Sequence, residues 1–132
     1  VRGSSNSVTT TGINDVMERI VTCTQAVVTT IAVFAALPST SPGAIDVDRT
    51  RYIRVTNLDL TNNIELAIVT TNTNYQVTIT GGNSHILSLA QAVALGEEDA
   101  EPSFGTMEDI TSLQVQPVTA NDAQVELFVG LV

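Results

Sequence analysis

Residue types that support covalent chemistry are scarce in this chain, which has one cysteine, Cys23, and one histidine, His85. A thiol nucleophile needs a base within hydrogen-bonding distance and a neighbour that lowers its pKa. Cys23 lies between Thr22 and Thr24, which neither act as a base nor lower the pKa of a thiol. His85 opens a strand-like segment after a Gly-Gly-Asn-Ser turn. We therefore interpret Cys23 as a core residue and His85 as a strand residue, and we predict that the protein is not an enzyme.

Carboxylates are the most abundant reactive groups. The pairs Asp46 and Asp48, and Glu108 and Asp109, are of the type used in acid–base catalysis, but composition alone predicts such pairs in a chain with 14 acidic residues. The segment 97–101 holds four carboxylates, without the ligand spacing of a calcium-binding loop. The chain has no lysine, which excludes a Walker-type phosphate loop. We predict no metal site and no cofactor.

Length and composition predict one domain that needs no crosslink. The chain has 132 residues, 43% of them hydrophobic, which suffices for a single core. The apolar stretch 27–37 is interrupted by Thr29 and Thr30 and is shorter than the roughly 20 residues of a membrane span. A single cysteine, the lack of an Asn-x-Ser/Thr sequon and the lack of a signal-peptide pattern favour synthesis in a cytoplasm. We expect no membrane partner.

The charge balance argues against nucleic acid as a partner. Fourteen acidic residues face five basic ones, all arginine, and the net charge is −9. Nucleic-acid binding needs a basic patch that neutralises phosphates, and the cluster Arg49, Arg51 and Arg54 is diluted by aspartates. We expect these arginines to pair with neighbouring aspartates within or between subunits, because the guanidinium fork suits a carboxylate.

Threonine content and alternating hydrophobicity predict an all-β fold. The chain has 19 threonines, whose branched side chains favour strands, and only 4% aromatic residues. We predict about seven or eight antiparallel strands in a single β-sandwich or jelly-roll-like domain over residues 12–132. Residues 1–11, rich in Ser and Thr, are predicted to form a flexible arm that becomes ordered against a neighbouring subunit.

The strands themselves are predicted at residues 27–34, 51–58, 64–70, 75–80, 85–89, 110–118 and 123–132. The second and third of these are predicted to form one hairpin through Asp59–Asn63, and the fourth and fifth another around Gly81–Ser84. Upstream, Ile13, Val16, Met17 and Ile20 have the spacing of a helix face, whereas the overall composition favours a strand from Val16 to Thr24. Both readings remain open at this point.

Three segments carry a family resemblance: Arg-Tyr-Ile-Arg-Val-Thr-Asn-Leu-Asp (51–59), Ile-Glu-Leu-Ala-Ile-Val (64–69) and Ala-Gln-Val-Glu-Leu-Phe-Val (123–129). Together with the Thr- and Asn-rich, lysine-free composition, they make residues 50–132 resemble the small β-rich virion proteins of tailed bacteriophages. The resemblance implies a non-enzymatic subunit, such as a capsid decoration or cement protein, or alternatively a tail or head-to-tail accessory protein. It implies the major capsid protein or other virion proteins as partners, and a location on the capsid exterior.

The negative charge fits an exterior location, because packaged DNA would repel the chain. We expect a homo-oligomer, with a trimer as the working assumption, whose arm and terminal strand add to a neighbour's sheet edge. The candidate interface residues are Val1, Arg2, Arg49, Arg51, Arg54 and Val132. The rival interpretation is a lectin-like sandwich that binds its ligand through residues 72–75 and the acidic segment 97–101, with Tyr52, Tyr75 and Phe104 available for stacking.

Overall fold

Alternation of buried and exposed side chains runs through most of the strands of the protein. The computed structural model describes residues 7, 9–37, 42–118 and 120–132. Within them the chain forms the strands β1 (Asp15–Cys23), β2 (Thr29–Ala35), β3 (Ile45–Asp46), β4 (Thr50–Asn57), β5 (Ile64–Thr70), β6 (Asn74–Ile79), β7 (Ser84–Leu87), β8 (Ile110–Pro117) and β9 (Ala123–Leu131), and no helix. The all-β prediction is confirmed. The count is nine strands rather than seven or eight, and β3, with two residues, is too short to show a period.

The strands pair in a nested order across two sheets. One sheet has four strands in the order β1-β9-β4-β7, and the other has five in the order β3-β2-β8-β5-β6. The short β3 pairs in parallel with β2, and every other pairing is antiparallel. Leaving β3 aside, the first strand pairs with the last, the second with the second-last, and so on inward to β5 and β6. This is one long hairpin wrapped into a sandwich, which is the arrangement of a jelly roll.

The core lies between the sheets and is almost entirely aliphatic. Each long strand contributes alternate residues to it, so that β4 presents Ile53 and Val55, and β9 presents Val125, Leu127 and Val129. All five side chains are essentially inaccessible to solvent. Burial of this kind stabilises the fold by roughly 1.5–3 kcal/mol per side chain. The remaining residues of each strand form the two outer faces of the sandwich.

Both predicted hairpins are wrong, although the strands that were to form them exist. Strand β4 belongs to the four-stranded sheet and β5 to the five-stranded sheet, and β6 and β7 are divided in the same way. Asn, Asp and Gly reverse the chain equally well in a hairpin and in a connection that crosses between sheets, so the turn residues do not distinguish the two. The hairpin between neighbouring strands in the sequence is β5–β6, closed by a hydrogen bond from Thr70 N to Thr73 O (2.8 Å).

The N-terminal region settles two further predictions. Residues Asp15–Cys23 form strand β1, so the helical alternative is wrong: Val16 and Ile20 are exposed while Met17 packs against the core. Strand β9 lies between β1 and β4, so it has no free edge and the terminal strand cannot extend a neighbour's sheet. Of the predicted arm, residues 1–6 and 8 lie outside the described part of the chain.

Candidate functional site

The fold separates the two potential catalytic side chains. Cys23 ends β1 and His85 lies in β7, at opposite edges of the four-stranded sheet. Three interstrand spacings of about 4.8 Å keep them about 14 Å or more apart. Burial raises the pKa of the Cys23 thiol, although a hydrogen bond with Thr29 acts in the opposite direction, and burial lowers the pKa of His85. A buried thiol without a base is a packing residue rather than a nucleophile.

The carboxylates of both pairs accept hydrogen bonds that hold turns and loops, rather than forming a catalytic pair. Glu108 accepts hydrogen bonds from Thr70 Oγ1 (3.1 Å) and Asn72 Nδ2 (2.6 Å). Asp109 accepts one from the backbone N–H of Ala92 (2.8 Å). These contacts fasten both ends of the connection between β7 and β8. Asp46 and Asp48 form a local turn in the same manner, with Asp48 N donating to Asp46 Oδ1 at 2.9 Å.

Neither the acidic segment nor any other part of the described chain gathers metal ligands. Among residues 7, 9–37, 42–118 and 120–132, there is no group of three or more His, Cys, Asp or Glu side chains that could hold an ion. Within 97–101, the Glu97 carboxylate is used by Ser103, whose backbone N–H and hydroxyl both donate to it. No helix that could span a membrane occurs in the described residues.

The outer face of the four-stranded sheet carries a cluster of aromatic and charged side chains. In the register of these strands, Arg54 of β4 pairs with Phe128 of β9. Tyr52 lies two residues from Arg54 along β4, and Glu126 lies two residues from Phe128 along β9, so both are on the same face of the sheet. The Arg54 guanidinium carbon lies 5.1 Å from the centre of the Phe128 ring, and Tyr52 meets that ring edge-on with centroids 5.9 Å apart. Arg54 Nη2 donates to Glu126 Oε1 at 2.8 Å. We call these four residues the aromatic–arginine cluster.

Electrostatics in this cluster fix the charge of Arg54. The hydrogen bond to Glu126 raises the pKa of Arg54 above its already high value, so its charge is permanent. Its Nε atom is inaccessible to solvent and has no hydrogen-bond partner among the described residues. The side chains of Arg54 and Glu126 are 35% and 19% exposed. A half-buried guanidinium stacked on a ring has lost much of its rotational freedom, which lowers the entropic cost of contacting a partner.

Aliphatic side chains border the cluster on both sides. Val16 and Ile20 project outward from β1, and Ile86 projects outward from β7 beside Arg54. All three are exposed. At one margin Ile13 lies over Gly130, where an added Cβ would come within 3.3 Å of the isoleucine side chain. The absence of a side chain at Gly130 therefore lets the segment before β1 pack down onto this face.

The described residues of the predicted interface make different contacts. Arg54 lies in the aromatic–arginine cluster, and its partner is Glu126 rather than an aspartate. Arg49 and Val132 bind each other, through Arg49 Nε to Val132 O (2.6 Å) and Val132 N to Arg49 O (2.9 Å). Arg51 donates to the carbonyls of Asp48 and Thr50. Within the described chain these arginines therefore bind carbonyls and a glutamate, and their pairing with aspartates between subunits stays a prediction. Val1 and Arg2 lie outside the described residues.

Sequence reasoning missed two members of the cluster, Glu126 and Phe128, and named Tyr52 only as a residue that could stack on a sugar. A signal was present, because Tyr52 and Arg54 are two residues apart on one strand and therefore share a face. Glu126 and Phe128 have the same spacing. What the sequence did not show was that β4 and β9 are neighbours, since 72 positions separate Arg54 from Glu126.

The outer face of the five-stranded sheet has a different chemistry. A shallow hollow of about 200 Å³ is lined there mainly by short apolar and amide side chains: Val28, Glu65, Ala67, Val69, Asn74, Gln76, Gln114, Val115 and Gln116. Two of the amides are engaged locally, Gln76 with Asn74 and Gln114 with Ser112. Tyr75 packs inward against the core, so it cannot stack on a ligand at this face.

Comparison with known proteins does not assign the chain to a family. No model of a known protein family matches the sequence, and the search of functionally described proteins gives no significant match.

Proposed function

We propose that this protein is a non-enzymatic structural subunit of a virus particle, a capsid decoration or cement protein that binds other virion proteins. The observation that carries the proposal is the aromatic–arginine cluster. Aromatic residues and arginine dominate the energetics of protein interfaces, and here Tyr52, Arg54 and Phe128 converge on one exposed sheet face. The partner is the major capsid protein or another virion protein, and the setting follows from the resemblance of residues 50–132 to small phage virion proteins.

The fold and the charge support this role. Jelly rolls recur in viral structural proteins, but also in lectins, so the fold alone does not choose between them. A net charge of −9 favours the outside of a shell over its DNA-filled interior. The protein is made in the host cytoplasm and binds neither nucleic acid nor membrane. As a tail or head-to-tail accessory protein, it would use the same face with a different neighbour.

Particle fractionation tests the proposal. Virus particles are pelleted from the culture that produces the chain, and both fractions are probed with an antibody against it. We expect the wild-type chain in the particle pellet, and gold-labelled antibody on the outside of intact heads. Recovery of the wild-type chain in the supernatant alone would contradict a virion role.

Two substitutions test the face. Phe128→Ala removes the ring that supports Arg54, and we expect it to shift the chain from the pellet to the supernatant. Phe104→Ala is the matched control, because this ring is 80% exposed and lies in the β7–β8 connection, outside the cluster. Circular dichroism of both variants checks that the fold is retained. Equal retention of both variants on particles would mean that attachment uses another surface, such as the predicted arm at 1–11.

A ligand-binding sandwich remains the second candidate, favoured by the amide-lined hollow of the five-stranded sheet. Amide groups and Glu65 offer hydrogen bonds to a neutral polyol, and Ala67 and Val69 leave room above the sheet. The loops proposed from the sequence are less suitable, because Asn72 is bound to Glu108 and Glu97 to Ser103. A glycan array with and without calcium tests it. Saturable binding that Gln114→Ala abolishes would favour this function.

A further inference from the structure

The two ends of the sandwich both expose apolar side chains, but their connections differ sharply in charge. At one end are the connections 24–28, 58–63, 80–83 and 118–122, and we call this the apolar end. Its exposed aliphatic side chains are Val27, Val28, Leu58, Leu60 and Val118. These connections contain two acidic residues, Asp59 and Asp122, and no basic residue. A concentration of exposed aliphatic residues in loops is unusual for a surface that faces only water.

The opposite end, which we call the acidic end, carries nine of the 14 carboxylates: Asp15, Asp46, Asp48, Glu97, Glu98, Asp99, Glu101, Glu108 and Asp109. The β7–β8 connection, residues 88–109, starts and finishes there, and Gly96 contacts Thr73 of the β5–β6 hairpin. Arg49 and Arg51 are the basic residues of this end. The negative charge is therefore concentrated at one end of the molecule.

Hydrogen bonds join the connections of the apolar end into one platform. Asp122 Oδ1 accepts from the backbone N–H of Gln25 (2.8 Å), which links the β1–β2 and β8–β9 connections. The backbone N–H of Val118 donates to Asn63 O (3.1 Å), and that of Leu58 donates to Gln124 O (2.9 Å). Each of the three connections that expose aliphatic residues is thus tied to another.

Leu60 is the most prominent side chain on this platform, at 83% exposure. The backbone of Leu60 packs closely against Gly81, since an added Cβ at Gly81 would lie 2.7 Å from the Leu60 carbonyl group. The Asp59 carboxylate accepts from the backbone N–H groups of Thr61 and Asn62 at 2.8 and 2.9 Å, which fixes the turn. A leucine presented on a fixed backbone loses little freedom when it is buried by a partner.

Beside Leu60 lies an open hollow of about 420 Å³. Its lining is Thr22, Leu58, Asp59, Leu60, Thr61, Asp122, Ala123 and Gln124. A projecting leucine and a hollow on the same end are the two halves of a self-complementary contact. In a closed symmetric assembly, the leucine of one copy enters the hollow of the next.

We propose that the apolar end is the contact surface for a second copy of this chain, with Leu60 as the anchor in the neighbour's hollow. Charge favours this occupant: contact through the apolar ends keeps the two acidic ends far apart, beyond the Debye length of about 8 Å. Contact through the acidic ends would set nine carboxylates against nine, and a head-to-tail contact would set nine against two, whereas contact through the apolar ends sets only Asp59 and Asp122 against their copies. The inference concerns self-association and does not depend on the proposed virion role.

Sedimentation velocity over a range of protein concentrations tests the inference with a matched pair of variants. Leu60→Ser and Phe104→Ser each remove one exposed apolar side chain, at 83% and 80% exposure, from opposite ends. We expect wild type and Phe104→Ser to form the same oligomer, a dimer of 27.8 kDa from two chains of 13.9 kDa, because a self-complementary contact closes after two copies. Leu60→Ser should weaken association about tenfold or more, the loss typical of an interface anchor.

Three results would overturn the inference. The first is a wild-type chain that stays monomeric at all concentrations, and the second is a Leu60→Ser oligomer as stable as the wild type. The third is flotation of the wild type with phosphatidylcholine vesicles that Leu60→Ser abolishes, which would assign the apolar end to a lipid surface. Retained particle attachment by a monomeric Leu60→Ser variant would leave the virion proposal standing, so the two hypotheses fail separately.

Discussion

The apolar end and the acidic end both hold loops with carboxylates, and the apolar end adds a buried amide side chain. At the apolar end, the buried side chain of Asn57 donates to the carbonyls of Asn62 (2.7 Å) and Ile79 (3.1 Å) and accepts from Asp59 N (3.0 Å). At the acidic end, the corresponding bonds are made by partly exposed carboxylates such as Glu108. Buried amide bonds are insensitive to salt and pH, whereas exposed carboxylate bonds are screened and can be protonated.

This difference indicates that the loops of the two ends serve different purposes. A loop that must present a leucine to a partner benefits from a fixed backbone, and buried hydrogen bonds supply it. A loop whose main property is negative charge needs no such precision, because charge acts over several ångströms. Rigidity and charge are therefore placed at opposite ends of one small domain, and each can be changed without the other.

Replacing Asn57 by alanine is expected to have the largest effect of the changes considered. It leaves two buried carbonyls and one N–H without their partner, at a cost to the free energy of unfolding of about 3 kcal/mol. Asn72→Ala at the acidic end removes one exposed bond to Glu108 and should cost less than about 1 kcal/mol. Chemical denaturation of both variants measures the difference. Equal losses would contradict the contrast between the two ends.

Gly81→Ala and Gly96→Ala compare how tightly the chain packs at the apolar end and at the acidic end. At Gly81 the new Cβ meets the backbone of Leu60 at 2.7 Å, which cannot move without shifting the platform. At Gly96 it meets the Thr73 side chain, whose Oγ1 can rotate away although its Cβ, 3.1 Å from the new atom, cannot. We expect Gly81→Ala to destabilise the fold by about 2 kcal/mol, the typical cost of overpacking, and Gly96→Ala by less. Combining Gly96→Ala with Thr73→Ala should restore wild-type stability, whereas no such rescue exists for Gly81.

His85 makes the interior near the apolar end sensitive to pH. Its Nε2 atom is buried without a hydrogen-bond partner among the described residues, and burial lowers its pKa from 6.5. The unfolded chain therefore binds this proton more readily than the folded one, so the free energy of unfolding falls as the pH drops below about 6.5. The loss levels off below the folded-state pKa. Thermal melts across this range should show the fall in wild type but not in His85→Leu, and parallel curves would refute it.

Strand positions were predictable because they follow from local alternation. The buried residues Ile64, Leu66 and Ile68 of β5 are separated by polar or small ones, and such a pattern is readable without any structure. The assignment of strands to sheets was not, because both predicted hairpins failed on connections whose residues suit either geometry. At β3, two residues flanked by a turn carry no period at all. Topology here is decided by which strands meet through the core, at long sequence separation.

The candidate surfaces were less predictable than the fold. Arg54 was singled out from its charge, but the Phe128 ring that supports it became a neighbour only through the pairing of β4 with β9. Leu60 fell in the predicted connection 59–63, but the sequence did not show that this connection lies beside those at 24–28 and 118–122. Its exposure follows from the turn at Asp59, which takes residue 60 out of the sheet.

The smallest predicted effect compares two exposed carboxylates, one at each end. Hydrogen bonds from backbone N–H groups lower the pKa of Asp59, and those from Ser103, chiefly its hydroxyl, lower the pKa of Glu97. Ser103→Ala should therefore raise the pKa of Glu97 towards its ordinary value while leaving the melting temperature nearly unchanged, because this bond holds only an exposed loop. Carbon-13 NMR titration of the carboxyl groups measures both sites in one experiment. A simultaneous change in the pKa of Asp59 would show that the two ends are coupled and would contradict their independence.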